Sequence, residues 1–291
     1  MPVANHEGST LTGGPGGLFV FKTGDAITPG SDVGHACLVQ SVDVTTTVAT
    51  EDILAIGYKG RAGLRENIGN VTVAIEGVLT RDGTELGSIA HDLDFYEAVT
   101  NDFYLTSVSS NGVYGKKAQV TAPFVTSIAY NFAVNASATT TWNFSGDNIV
   151  WTDSPPSPTT YALETSQYMN AVEFHEISVS GIAGCVQTCT FNATLNRTDI
   201  FCLGQKQRFD RPVTNPKEVT VSIETLAGTP GDEMHMFVTD YTIADEGFFT
   251  AKCGPVVASG LVPTDGGFRV GVGNNSTITM GFRGTNMVIT Y

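Results

Sequence analysis

Apolar and polar positions alternate most cleanly in Val71-Thr-Val-Ala-Ile-Glu76, and the same pattern returns in Val219-Thr-Val-Ser-Ile-Glu224. A period of two predicts a strand in each place, with Val71, Val73 and Ile75 on one face and Thr72 and Glu76 on the other. Aligned outward from these strands with one inserted residue, 39–76 and 186–224 agree at fourteen of thirty-eight positions, including Asp52/Asp199, Gly57/Gly204 and Arg61/Arg208. Unrelated segments of ordinary composition agree at roughly 5–8% of positions, so the chain contains a tandem repeat.

The rest of the pattern follows from this repeat. Residues 39–50 form a Val/Thr-rich alternating stretch, predicted to be a strand. Thr50–Gly57 and Arg197–Gly204 combine a cap candidate, early acids, apolar residues and a terminal glycine, which predicts a short helical turn in each half. The polar stretches 58–70 and 205–218 read as long connections, a length that points to interaction elements. A helical face is expected over 86–99, with a shorter counterpart over 234–243. Strand-rich sequence closes each half at 126–143 and 267–280, and Phe144–Val150 corresponds to Phe282–Val288. The domain reading is a flexible arm over 1–34, first domain 35–151, Pro-rich linker 152–169 and second domain 170–291.

Lys and Arg number 15 against 29 Asp and Glu, a net charge of −14, which excludes a surface built to grip nucleic acid. It suits a wall along which nucleic acid slides without sticking. The low charged fraction, 15%, fits a β-rich assembly subunit better than a charged helical enzyme. No N-terminal signal pattern and no apolar run long enough to span a membrane is present, so the chain is expected to be made in cytoplasm, without membrane insertion.

The sequence carries no recognisable catalytic or metal-binding signature. The five cysteines lack C-x-x-C spacing and read as buried, reduced thiols, although Cys185 and Cys189, four apart, would share one strand face. The five histidines form no ligand pair, and nucleophile-elbow, P-loop and EF-hand signatures are missing. The matched acids Asp52/Asp199 and Glu76/Glu224 follow from repetition rather than from a catalytic dyad. The expectation is no enzyme, no cofactor and no metal.

Arg208-Phe-Asp-Arg-Pro-Val-Thr214, followed by Glu218-Val-Thr-Val-Ser-Ile-Glu224 and preceded by a strand and a turn ending in Leu203-Gly204, resembles the tail tube proteins of tailed bacteriophages. The first half departs from the pattern, with Ala62-Gly-Leu-Arg-Glu66 in place of Phe-Asp-Arg-Pro-Val. The resemblance implies a mainly β fold: two tandem tail-tube-like sandwich or barrel domains, each with a short flanking helix. It further implies a homo-oligomer of trimeric, pseudo-hexameric rings stacked into a tube in the virion tail, meeting other tail proteins and letting DNA pass through the lumen without specific binding. Subunit-interface candidates are Arg61, Arg65, Arg208, Phe209, Asp210, Arg211 and Pro212, with the strand acids Glu76 and Glu224. Alternatives are a tail-completion or capsid-decoration protein, or a β-sandwich module binding a host surface or carbohydrate.

Overall fold

The computed structural model describes residues 18–22, 39–54, 56–57, 60–79, 103–108, 114–121, 124–134, 136–152, 177–179, 185–203, 208–212, 218–226, 249–269 and 277–289. These residues are mainly β, and every strand pairing among them is antiparallel. The first half supplies β1 (Leu18–Lys22), β2 (Val39–Leu54), β3 (Arg61–Val78), β4 (Phe103–Val108), β5 (Tyr114–Thr121), β6 (Phe124–Ala133), β7 (Thr139–Gly146) and β8 (Asn148–Thr152). The second supplies β9 (Ile177–Val179), β10 (Cys185–Thr194), β11 (Glu218–Leu226), β12 (Phe249–Cys253), β13 (Val256–Arg269), β14 (Thr277–Gly284) and β15 (Asn286–Ile289).

A long sheet runs β2-β3-β7-β6-β10-β11-β14-β13-β12-β9, with β15 on β13, and a smaller one runs β1-β4-β5-β8. The two Val-Thr-Val-x-Ile-Glu strands are β3 and β11, each with a strand on both sides, and Val71, Val73, Ile75, Val219, Val221 and Ile223 are buried as their alternation predicts. Around them the pairing scheme occurs twice. Val71 lies opposite Gly146 and Glu76 opposite Thr141; in the second half Val219 lies opposite Gly284 and Glu224 opposite Thr279. The irregularities repeat as well. The ladder shifts between Val39 and Ser41 and again between Val186 and Thr188, then between Val125 and Ser127 and again between Pro263 and Asp265. Bulges are specific features of a ladder, so their recurrence at matched positions shows that the repeat extends to strand register. One strand, β13, does in the second half what β5 and β6 do in the first. Its start pairs with β12 and β15 and its end with β14, and the change falls beside Gly260, whose φ of 66° is left-handed and favours glycine.

One core cluster spans both halves, built on Tyr130, Trp142, Phe191, Phe282 and the aliphatic residues of β3 and β11. Each large apolar side chain buried there contributes about 1.5–3 kcal/mol relative to exposure. Phe132 of β6 meets Phe191 of β10 edge to face, with ring centroids 5.9 Å apart, so the seam between the halves is itself part of the core.

Several sequence expectations are overturned. No helix occurs among the described residues. Thr50–Leu54, expected to be a helical turn, continues β2, because Thr50, Glu51 and Asp52 pair with Glu66, Arg65 and Leu64. The β-branched run through Thr45, Thr46, Thr47, Val48, Thr50 and Ile53 favours the ladder over the cap at Thr50. The stretch read as a connection at 58–70 is therefore largely β3, closed by a turn at Gly57 with φ 92°. In the second half, 197–203 forms neither a helix nor a named strand and is bridged from Ile200 to Asp210. The arm expected over 1–34 lies outside the described residues except for Leu18–Lys22, which forms β1 and pairs along its length with β4. The helices expected over 86–99 and 234–243, and the linker after Thr152, lie outside the described residues.

The bulge at Val186/Thr188 also breaks the alternation that was expected to set Cys185 and Cys189 on one face: Cys185 is exposed and Cys189 buried. A hydrogen bond with Cys253, and then burial, push the Cys189 thiol well above its ordinary pKa. A thiolate is the reactive form, so iodoacetamide at pH 8 is expected to modify Cys185 and Cys202 in the folded protein and to reach Cys189 and Cys253 only after denaturation. Peptide mapping that finds Cys189 alkylated in the native state as fast as Cys185 contradicts this packing.

Candidate functional site

The densest polar constellation among the described residues lies where the second half reaches onto the first. After β10 the chain leaves the ladder at Leu195 and runs out to Leu203, and residues 208–212 return beside it, held by the Ile200–Asp210 bridge. Asp210 Oδ1 accepts from the Arg211 backbone N–H at 2.7 Å, a local turn contact that aims Arg208 and Arg211 the same way, towards β3 and β7.

Four charges then close a ring. Arg208 Nη1 donates to Asp147 Oδ1 at 2.7 Å and Arg208 Nε to Asp199 Oδ2 at 2.6 Å. Arg211 Nη2 donates to the same Asp147 Oδ1 at 2.9 Å, and its Nε lies 3.0 Å from Asp199 Oδ1. That last contact is an ion pair rather than an aligned hydrogen bond. Arg208, Arg211 and Asp147 are 8%, 3% and 5% exposed and Asp199 is 36% exposed, so three of the four charges have left water. Two arginines against two carboxylates leave the cluster neutral, without which burial at this depth costs several kcal/mol per ion. Burial and the adjacent Arg208 pull Arg211 below the usual arginine value, while Asp147 and Asp199 act the other way; it stays charged at any physiological pH.

The remaining donors are used on the first half's backbone. Arg208 Nη1 donates to Gly69 O at 3.1 Å and Arg211 Nη1 to Ser145 O at 2.9 Å. Arg197 donates to Arg211 O at 2.9 Å, and the Arg197 and Arg211 guanidiniums lie 4.9 and 5.3 Å from the centroid of the Phe124 ring. Beside the cluster is a cavity of about 590 Å³, lined from both halves by residues that include Val48, Asn70, Phe124 and Leu195. Of its charged side chains, Asp199, Arg208 and Arg211 are already partnered to one another and Arg197 donates to Arg211 O, an arrangement that fixes position and offers no nucleophile with an adjacent base.

The structure brings Arg208, Asp210 and Arg211 together and places Phe209 and Pro212 on the exposed side of the same segment. Arg61 and Arg65 are in β3, opposite Leu54 and Glu51. Glu76 is on the open face of the long sheet, where Ser41 Oγ donates to its Oε2 at 3.2 Å, and Glu224 has the matching position in β11. Asp147, Ser145, Phe124 and Arg197 were not foreseen. Asp147 sits one residue beyond the end of β7, and only the fold shows that the corner it occupies faces the second half.

Among the described residues no group of His, Cys, Asp or Glu is arranged to hold a metal ion, and no helix is long and apolar enough to cross a membrane. A comparison with protein-family models finds no match, and a comparison with curated proteins finds none either.

Removing one member of a buried ion network leaves its partners uncompensated and typically costs about 3–5 kcal/mol. Asp147→Ala is expected to lower stability by about that amount, read from urea denaturation, while Asp199→Ala, at a partly exposed carboxylate, costs markedly less. Equal losses for the two contradict the burial assigned here.

Proposed function

We propose that the protein is a structural subunit that assembles with copies of itself by joining sheets edge to edge. The observation that carries this reading is the duplicated ladder. The β6–β10 seam joins two like units side by side within one chain, and among the described residues the same two kinds of edge recur on the outer side of β2 and of residues 262–269 of β13, where no second strand pairs. Exposed strand edges of this length are protected in most proteins or used for association. A head-to-tail contact of this kind generates a closed ring when its rotation closes.

More particularly, we propose a tail tube subunit of a tailed bacteriophage. The reading comprises two tandem tube-like β units per chain, three chains per pseudo-hexameric ring, and rings stacked into a conduit for viral DNA. The open face of the long sheet supports it. Opposite the core, that face carries Thr72, Glu76, Thr220, Ser222 and Asp43, with Arg283 opposite Thr220, a polar surface with two carboxylates suited to a lumen that DNA crosses without sticking. Stacking is supported by apolar residues exposed at matched positions in the two halves: Ile53 with Ile200, Leu54 with Phe201, and Ile56 with Leu203. Repetition of exposed apolar residues at one end of each unit is what a ring-to-ring contact requires. In this reading the chain performs no covalent chemistry, and its partners are other copies and the remaining tail proteins.

Negative-stain microscopy of the concentrated protein is expected to show rings and tubes, with a sedimenting species of three chains at lower concentration. A compact monomer under all conditions sinks the reading, and a few copies per particle points to a completion or decoration protein instead. Ile56→Asp combined with Leu203→Asp is expected to leave rings intact and abolish their stacking. Tubes of undiminished length in that variant exclude these tips as the axial contact.

A further inference from the structure

The internal seam fixes what a chain-to-chain seam must look like. Along β6 and β10, Thr190 lies opposite Asn131, Asn192 opposite Ala129 and Thr194 opposite Ser127. The repeated bulges transfer these positions without ambiguity: β10 corresponds to β2 through Val186/Thr188 and Val39/Ser41, and β6 to the end of β13 through Val125/Ser127 and Pro263/Asp265. Resting on the self-assembly reading above, we propose that β13 of one chain takes β2 of a second copy as its next antiparallel strand in this transferred register, with Asp43 opposite Arg269, Thr45 opposite Gly267 and Thr47 opposite Asp265.

Three features of the chain fit that occupant. The internal seam has a neutral pair, Thr190 and Asn131, where the transferred one has opposite charges, Asp43 and Arg269. The halves of one chain are held in register by their tether and by the arginine–aspartate ring. Separate chains have no tether, and a charged cross-strand pair selects both partner and register. Pro263, which has no N–H to give a ladder, corresponds to Val125, and Val125 lies outside the β6–β10 pairing, so the proline falls beyond the proposed ladder too. Val44, partly buried against the core on the edge strand β2, corresponds to Phe191, which is fully buried and meets Phe132 of the neighbouring strand β6 edge to face. A second copy on β2 would cover Val44 in the same way.

Thr45→Cys with Gly267→Cys tests the register directly, since a Cβ added at Gly267 meets nothing within 4 Å. Under mild oxidation the assembled double variant is expected to give a disulfide between chains, with mass spectrometry locating it at 45–267 against the background of native thiols. Asp43→Arg or Arg269→Asp alone is expected to raise the concentration for half-maximal assembly by roughly fivefold or more at low salt, and the combined swap to restore it. Far-UV circular dichroism of each variant checks that it folds. Rings or tubes in which 45 and 267 do not cross-link, or in which the swap rescues nothing, overturn this register and leave the self-assembly reading standing. A parent protein that never assembles overturns both.

Discussion

The antiparallel seam between β6 and β10 is the constraint on which the rest of the structure depends. It converts two short sheets into one long one and buries Phe132 against Phe191. It also carries the second half close enough for Arg208 and Arg211 to reach Asp147. Two units linked only by a tether would expose both of these strand edges and half of the aromatic contact. Joined, they leave the outer side of β2 and that of residues 262–269 of β13 without a paired strand among the described residues.

The arginine–aspartate ring is better understood as a positioning device than as a source of net stability. A buried ion network of this size rarely outperforms well-packed apolar residues of the same volume. What it adds is directional: Asp147 Oδ1 accepts from two guanidiniums at once, and donors to Gly69 O and Ser145 O lock the segment onto two particular strands. Sliding β10 by one residue along β6 would turn its core side chains to the open face and separate all four charges.

How much of this could be read from the chain depended on whether the cause was local. Val71, Val73, Ile75 and their counterparts announce their burial because alternation is a property of a few consecutive residues. The repeat was legible for the same reason, and comparing copies marked Asp199 and Arg208 before any partner was known. The helical turn at Thr50–Gly57 was misread because its cap, acids and glycine are local signals for a helix, whereas the pairing with 61–66 that overrides them is tertiary. Asp147 was invisible for the converse reason, since nothing adjacent to it in sequence says that a corner of the first half faces the second.

The two halves differ where this matters most. Asp52 and Arg61 match Asp199 and Arg208, yet 50–54 pairs with 61–66 while 197–203 and 208–212 lie over the first half. The difference lies in what each segment meets. The second half finds Asn70, Ser145 and Asp147 on the first. The corresponding positions of the second half are Glu218, Arg283 and Thr285, where Arg283 Nε lies 3.2 Å from Glu218 Oε1 in a solvent-exposed pair. An exposed pair of that kind contributes little and can exchange partners, whereas the Asp147 cluster is desolvated and cannot be opened without stranding a charge. The junction inside the chain is therefore built to be permanent, while the corresponding corner of the second half keeps an exposed pair that can form and re-form. The Asp147 ion lock closes within the chain and requires no neighbour, so it holds the two halves in register inside a single chain.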